Sequence, residues 1–593
     1  MRFSESKRVR AYAGGVAVLV GLSACGHSPV RRYPLAQPRW EDADRAHVED
    51  EPQEYYSGLA ADLIDKSLLR PLARSFYLPL TPKAYNVNAV DEVPNSSWFQ
   101  NRLGLHEITP EEMALGPCAG LPPLDTDGPW QVFAAKPNGA SPGFFVESAQ
   151  GRFMLKFDGE VQPERNTGAD VIASKFYWAA GYHAPCNEIV YFSEDILTIA
   201  EDATTEDGFG EKKAISSADV IRVLASASRR KDGTLRATAS RFLPGRPKGP
   251  FKYQGRRADD PNDHVPHEYR RELRGSKIMA AWLHHHDARE QNTLDIWVED
   301  QGRTYIRHYM LDFSDCLGGR WELDSQSRRT GHTYVLDWED MALDYITLGA
   351  WPRPWYRLEY NPEVEIFGYF TAQDFRASQW KTDYPNAAHL QARYDDELWM
   401  ARIISRFTPE QIRAVVEQGQ FENPRHADFM VDALLARQFN IMQEYFTQYS
   451  PLDRFRLVRR EPSERTQSLC FEDRAMFHGL ADPRGYTYKA KFYGGERLET
   501  ELGWLQFQPD LEHPERSCIQ LPIGGRRPAD LVAEDADADD PKRYGVLKVW
   551  VHKTPGAKPT SLTQLYFYDL GVDKGYRLVG IERPETPSVP AQY

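Results

Sequence analysis

The hydrophobic pattern changes period twice along this chain, and those two changes limit its fold more than any single motif does. From Trp130 the apolar residues fall in short runs of strand length, at 130–135, 144–147 and 153–157. They are separated by Asn138-Gly139-Ala140-Ser141-Pro142-Gly143 and by the turn Gln150-Gly151, which predicts an antiparallel meander. A helix is expected over 168–180, where Val171, Ile172, Phe176, Tyr177 and Ala180 recur at helical spacing before Gly181. Two more strands are expected at 188–192 and 196–200. From His267 the period becomes helical: residues 268–285 carry Leu273, Ile278, Met279, Ala280, Trp282 and Leu283. Thr408-Pro409-Glu410-Gln411 has the pattern of a capping box with proline at the first helical position, and a second long helix fits 425–445. Beyond Leu457 short aromatic or alternating runs return at 486–493, 547–551, 565–568 and 576–581. The chain therefore reads as α+β, with a β-rich region at 457–593 after the helices.

With 593 residues the chain is long enough for three or four folded units. Its start bears on the compartment. Arg2, Lys7, Arg8 and Arg10 precede an apolar run from Ala11 to Ala24 that is too short to span a bilayer. The run ends in Leu22-Ser23-Ala24-Cys25-Gly26, which resembles the lipobox of bacterial lipoproteins. That resemblance implies a signal peptide over 1–24 and a diacylglycerol and an acyl lipid on Cys25. Gly26 is not the aspartate associated with inner-membrane retention, so the expected location is the cell envelope, at the outer membrane of a Gram-negative bacterium. Removal of 1–24, with four basic and one acidic side chain, takes the formal charge from -14 to -17. Such acidity offers no basic face for counterion release, so no nucleic-acid partner is expected. Residues 26–58 are charged and proline-rich without apolar period, so 25–58 reads as an extended, solvated tether. Residues 59–129 read as an extension that packs on the domain beginning at Trp130. Cys118, Cys186, Cys316, Cys470 and Cys518 leave an odd count once Cys25 is lipidated, and the nearest C-terminal pair, Cys470 with Cys518, is the expected disulfide.

The stretch that carries chemistry is Leu283-His284-His285-His286-Asp287-Ala288-Arg289-Glu290-Gln291-Asn292, with Asp312-Phe313-Ser314 further along the chain. A histidine two residues before an aspartate, and an asparagine five after it, reproduce the spacing of the H-R-D-x-x-x-x-N loop of protein kinases, and Asp-Phe stands where those enzymes have D-F-G. Upstream, Lys156 sits alone in the apolar strand Phe153-Met154-Leu155-Lys156-Phe157, after a loop bounded by Gly139 and Gly143. Asp170 and Glu164 are the two acidic residues that could meet it.

In this order the elements resemble a divergent protein-kinase-like domain over about 130–450, nearer in style to atypical secreted kinases and lipid or aminoglycoside kinases. The exported chain also resembles an uncharacterised family of bacterial lipoproteins, through Asp91-Glu92-Val93-Pro94-Asn95-Ser96-Ser97-Trp98-Phe99, Leu155-Lys156-Phe157-Asp158 and Arg271-Glu272-Leu273-Arg274-Gly275. The resemblance implies two lobes, an antiparallel sheet plus helix at 130–245 and a helical lobe at 246–456. It also implies ATP with Mg²⁺ or Mn²⁺. Lys156 would grip phosphates beside Gly139, Gly143 and Asp170, Asp287 would orient the acceptor hydroxyl, and Asn292 and Asp312 would hold the metal. The acceptor, protein or small molecule, is not specified. The sequence departs from the kinase pattern at its Gly-x-x-x-Gly loop, at His286 in place of arginine and at Ser314 in place of glycine. The cell envelope holds little ATP, so the alternative is a catalytically silent kinase-like scaffold or binding lipoprotein.

Plainer readings stand beside these. Three adjacent histidines at a helix end cannot all face one metal ion, which favours a structural His285. Asp535-Ala536-Asp537-Ala538-Asp539 lacks the glycine and distal glutamate of a calcium loop and reads as a solvated acidic loop. Lys156 alone fits a snorkelling lysine on a sheet edge.

Overall fold

The computed structural model describes residues 31–584 except 57–63, 71, 73–80, 136–142, 207–211, 320–323, 360, 460–465, 483, 486, 511, 523–526, 534–535 and 553–560. The expected signal segment, Cys25, Gly139 and Asp535 lie outside the described residues. The fold is mixed α+β, and the strands among the described residues form four sheets. No described helix is long and apolar enough to cross a membrane.

The first sheet contains β1 (Trp130–Ala135), β2 (Gly143–Ser148), β3 (Gly151–Phe157), β4 (Asn187–Phe192), β5 (Leu197–Glu206), β6 (Lys212–Ala214) and β7 (Leu235–Arg241), in the order β4-β7-β3-β2-β1-β5-β6. The meander β1-β2-β3 is antiparallel, but the expectation of an antiparallel sheet throughout is corrected by β5, which runs parallel to β1. The reason is local. Only the short turn Glu194–Ile196 separates β4 from β5, and it carries the chain onward without reversing it. Strands adjacent in sequence but far apart in the sheet order force the sheet to curl. Trp130 of β1 and Phe192 of β4 meet with ring centroids 4.6 Å apart. Inside the curl a core forms from Trp130, Val132, Phe144, Val146, Phe153, Leu155 and Phe157, the alternate residues of each strand.

Helix α1 (Pro110–Leu115) packs on α2 (Arg165–Ala180), and α2 meets the face of β3 that carries Lys156. α2 is buried along almost its whole length, with small residues Gly168, Ala169, Ala173 and Ala179 spread around it, which suits a helix covered on all faces. Its start is tied to β3 by Asp158, whose carboxylate accepts from the Thr167 N–H at 2.9 Å and from its hydroxyl at 2.6 Å. Later helices are α3 (Ser217–Ser226), α4 (Arg271–Leu283), α5 (Tyr394–Ile404), α6 (Pro409–Glu417) and α7 (Pro424–Gln448). The capping box at Thr408 forms as expected. A small sheet joins β8 (Arg246–Pro247), which precedes α4, to the hairpin of β9 (Thr293–Asp300) and β10 (Arg303–Met310), which follows it.

Two C-terminal sheets complete the chain. One holds β11 (Leu452–Val458), β12 (Ser468–Asp473), β15 (Phe507–Pro509) and β16 (Arg516–Gln520). The other holds β13 (Thr487–Gly494), β14 (Thr500–Leu505), β17 (Tyr544–His552), β18 (Ser561–Asp569) and β19 (Tyr576–Glu582), in the order β14-β13-β17-β18-β19. The expected boundary at 456/457 falls within β11, and one apolar core runs from Phe176, Trp282 and Trp399 through Leu452 and Phe471 to Phe567.

Residues 31–56 differ from the solvated tether expected of them. They are extended, yet they lie along the body: Tyr33 packs on Tyr566 and Tyr544, Val48 on Trp297 and Ile306, and the buried Asp44 accepts from Ser97 at 2.7 Å. A few apolar anchors and one satisfied carboxylate are enough to hold a charged segment that composition alone assigns to solvent. Residues 81–129 bury Val93, Trp98, Phe99 and Met113 in the main core. Disulfides join Cys470 to Cys518, paired across β12 and β16, and Cys118 to Cys186. Cys316 is buried and free.

Candidate functional site

Lys156 lies on β3, a central strand between β2 and β7, so it is not a snorkelling edge lysine; it is 3% exposed. Its neighbours Leu155 and Phe157 enter the curled core, and the alternation turns Lys156 the other way, onto α2. There Nζ meets Asp170 at 3.2 Å and Asp312 at 2.7 Å. Of the two acidic candidates the structure brings Asp170 to the lysine. Glu164 ends up in a left-handed conformation at the start of α2, with its carboxylate accepting from the Glu422 N–H. Asp170 also accepts from the Phe313 N–H at 2.9 Å, so one carboxylate fixes both the lysine and the turn that carries Asp312.

Gly143 pairs in register with Lys156, and a Cβ there would meet the Leu155 carbonyl oxygen at 2.4 Å. Its glycine is needed for the close approach of β2 to β3.

Asp312 comes just after β10 and has a left-handed φ of 52°, a conformation aspartate tolerates. The Ser314 hydroxyl donates to it at 2.8 Å, which gives a purpose to serine where the kinase motif has glycine. Phe313 is fully buried against Tyr177 of α2 and against His285. The Leu311 N–H donates to the Asn292 carbonyl at 2.9 Å, so the β9–β10 hairpin returns the chain from Asn292 to the side of Asp312.

Asp287 lies in the loop between α4 and that hairpin. The Asn292 amide donates to its carboxylate at 2.9 Å and to its carbonyl at 2.8 Å, and Arg289 makes an ion pair at 2.8 Å. Burial pushes the Asp287 carboxyl up to about 7, Asp315 adds to the push, and Arg289 opposes it. At Asp170 burial also raises the carboxyl, Lys156 draws it back and Asp312 pushes it up again. Lys156 itself is held protonated above its ordinary range by Asp170 and Asp312, against a burial that acts the other way.

The three histidines point to three partners. His284 approaches the Thr330 carbonyl at 3.3 Å, His285 bonds the Tyr177 hydroxyl at 3.0 Å, and His286 pairs with Asp383 at 2.9 Å. Despite burial, Asp383 lifts His286 to about 9, so its imidazolium stands where the kinase motif has arginine. Asp383 and Asp315 escaped the sequence reading. Asp383 is 97 residues from its partner and belongs to no motif, so nothing in the local sequence marks it. Among the described residues the one cluster with metal-ligand spacing is Cys118, Cys186 and Glu188, and the disulfide already engages both sulfurs.

No family model matches this chain, and no curated protein matches it. Among solved structures, the Helicobacter pylori proinflammatory kinase CtkA aligns with 53% of this chain and 94% of its own, at 13% identity and a TM-score of 0.28. A weak structural neighbour of this chain is thus a kinase, but a superposition so loose assigns no residue a role.

Proposed function

We propose that residues 130–456 form a two-lobed, kinase-like body that transfers the γ-phosphoryl group of ATP to a hydroxyl of a protein or small molecule, on a lipoprotein anchored to the envelope through Cys25, with 457–593 as a β-rich partner-binding region. The observation that carries this reading is the meeting of Lys156, Asp170 and Asp312, which come from a strand, a helix and a turn far apart in sequence. Lys156 would hold the phosphates, with Asp170 fixing its position. Asp287, within hydrogen-bond reach of Asn292, would orient the acceptor hydroxyl and take its proton, a task suited to a carboxyl raised to about 7. Asn292 and Asp312 offer only hard oxygen donors, which fits Mg²⁺ or Mn²⁺, and the Asp312 side chain is 29% exposed. Bound there, the cation would neutralise charge on the phosphate oxygens.

The test is nucleotide-dependent phosphate incorporation by purified 26–593 with and without Asp287→Ala or Asp312→Ala. Each substitution is expected to lower the rate by about 100-fold or more, and equal incorporation in all three proteins would remove the role assignment. One feature favours the second reading, a silent scaffold: the Lys156 charge is already satisfied by two carboxylates and is almost shielded from solvent. Thermal unfolding separates the two. ATP with Mg²⁺ at 100 times Kd should add about 2.7 kcal/mol, and no shift with any nucleotide supports the scaffold.

A further inference from the structure

The five-stranded C-terminal sheet holds a cation that its own packing does not explain. Lys548 lies on β17, the central strand, with Lys491 and Gln564 as its direct cross-strand neighbours. Like charges opposite one another weaken a sheet. Lys491 is relieved by Glu501 at 2.6 Å, whereas Lys548 has no carboxylate partner among the described residues and rests over the Tyr493 ring at 5.2 Å. Burial lowers its ammonium pKa with no anion to hold it up.

Lys548 lines a cavity of about 320 Å³ together with Arg497, Arg31, Gln564, Tyr566 and Tyr493. Arg497, on the turn after β13, also makes no ion pair among the described residues. Arg31 pairs with Glu582, which in turn accepts from the Tyr566 hydroxyl at 2.8 Å. One wall is therefore the docked N-terminal segment, held by Tyr33 against Tyr566 with centroids 5.2 Å apart. Of the three cations that line the cavity, only Arg31 has an ion pair among the described residues; Glu499 accepts from the Arg497 backbone N–H at 2.7 Å but makes no ion pair with its guanidinium.

We propose that this cavity binds a phosphate monoester carried on a compact polyol. A dianionic phosphate answers both charges, where a single carboxylate would leave one unpaired, and Arg497 with Lys548 supplies the charge-assisted donors. The Tyr493 ring and the Gln564 amide give the polyol an apolar face and a hydrogen-bonding edge. The ester could be free or a lipid headgroup. On the lipobox reading Cys25 precedes Arg31 by ~20 Å of extended chain at most, which keeps a membrane-borne source within reach.

The experiment titrates the full chain with glycerol 1-phosphate by calorimetry, with acetate as the carboxylate control. Saturable binding is expected, weakened about tenfold by Lys548→Gln and further by adding Arg497→Gln. Lys548→Gln should leave Tm unchanged or raise it, since it removes the clash with Lys491. If it unfolds the protein instead, the exposed Arg497→Gln alone carries the test. Flotation with phosphatidylcholine vesicles, with and without phosphatidate, distinguishes the sources: phosphatidate-dependent capture that Lys548→Gln abolishes identifies a headgroup, and soluble binding without it identifies a free ester. No saturation, equal affinity in the variants, or acetate binding as tightly overturns the proposal.

Discussion

Around Asp91 and Asp453 every buried carboxylate faces guanidinium groups. Asp91 pairs with Arg271 and Arg583, Glu92 with Arg402 at 2.8 Å, Asp453 with Arg402 at 2.9 Å and Arg406 at 2.8 Å, and Asp396 with Arg271 at 3.2 Å and Arg274 at 3.1 Å. Around Lys156 and Asp287 the balance is reversed. One lysine serves Asp170 and Asp312, and Asp287 has Arg289 but also Asp315 nearby. Both regions are buried, so burial alone does not distinguish them. In the first, the arginines overcome burial and hold Asp91 down at about 2; in the second, burial carries Asp287 up to about 7, Asp315 adds to the push, and Arg289 and His286 do not reverse it. A network with matched charges joins chain segments: it ties the 91–92 stretch to α4, α5, β11 and the residue after β19. A cluster with more acid than base keeps a carboxyl able to exchange its proton near neutral pH, which is the signature of a reactive site.

The largest way to break this comparison is Arg402→Ala. It leaves the half-buried Glu92 without its ion pair and the buried Asp453 with one arginine fewer, and is expected to cost about 3–5 kcal/mol, read by urea unfolding at pH 7. A loss below about 1 kcal/mol would mean that the remaining arginines close the gap. Asp91→Asn should cost less, on the order of 2–3 kcal/mol at pH 7. Asp91 has a folded pKa below its unfolded one, so its contribution is complete above about pH 4 and disappears as pH falls through about 2. The variant should therefore show a shallower loss of stability over that window, and matching acid limbs would refute the pairing. Lys156→Met should cost only about 1–2 kcal/mol although it also breaks a buried ion cluster, because Asp312 is partly open to water and burial raises the Asp170 carboxyl even with Lys156 beside it. Nucleotide-dependent stabilisation should vanish in the same variant. A cost as large as that of Arg402→Ala would place Lys156 with the structural network.

Legibility in the sequence depended on how local each signal is. The meander, α2, α6 and α7 were readable because their periodicity and caps are complete within a few residues, and β1 at Trp130–Ala135 was expected with the bounds it has. The parallel placement of β5 was not readable, since it depends on a turn that keeps the chain's direction. β7 lay in a stretch, Leu235–Arg241, whose Arg, Thr and Ser residues obscure a strand buried on both sides. At the candidate site, the spacing of Asp287, Asn292 and Asp312 and the isolation of Lys156 in an apolar run singled these residues out, and their roles belong to the proposal. The choice of Asp170 over Glu164 depended on the rotation of α2, which Asp158 sets from β3. The docking of Tyr33, Asp44 and Val48 was hidden because three contacts spread over a charged segment leave no period to detect.

The most discriminating test is a titration, because its effect has the opposite sign. Asp287 keeps its proton to about pH 7 in the folded chain but releases it near 3.9 when unfolded. Between those values the folded state binds more protons, so Asp287 makes stability fall as pH rises, where Asp91 makes it rise. Asp287→Asn preserves an acceptor for the Asn292 amide and removes the titration. Plotted against pH without added metal, the stability of wild type minus that of Asp287→Asn should decline from about pH 4 to 7, by at most ~1.4 kcal/mol per pH unit for a single proton, and then level off. A flat difference across that range would return Asp287 to an ordinary ionised aspartate and remove the physical basis for assigning it the acceptor's proton.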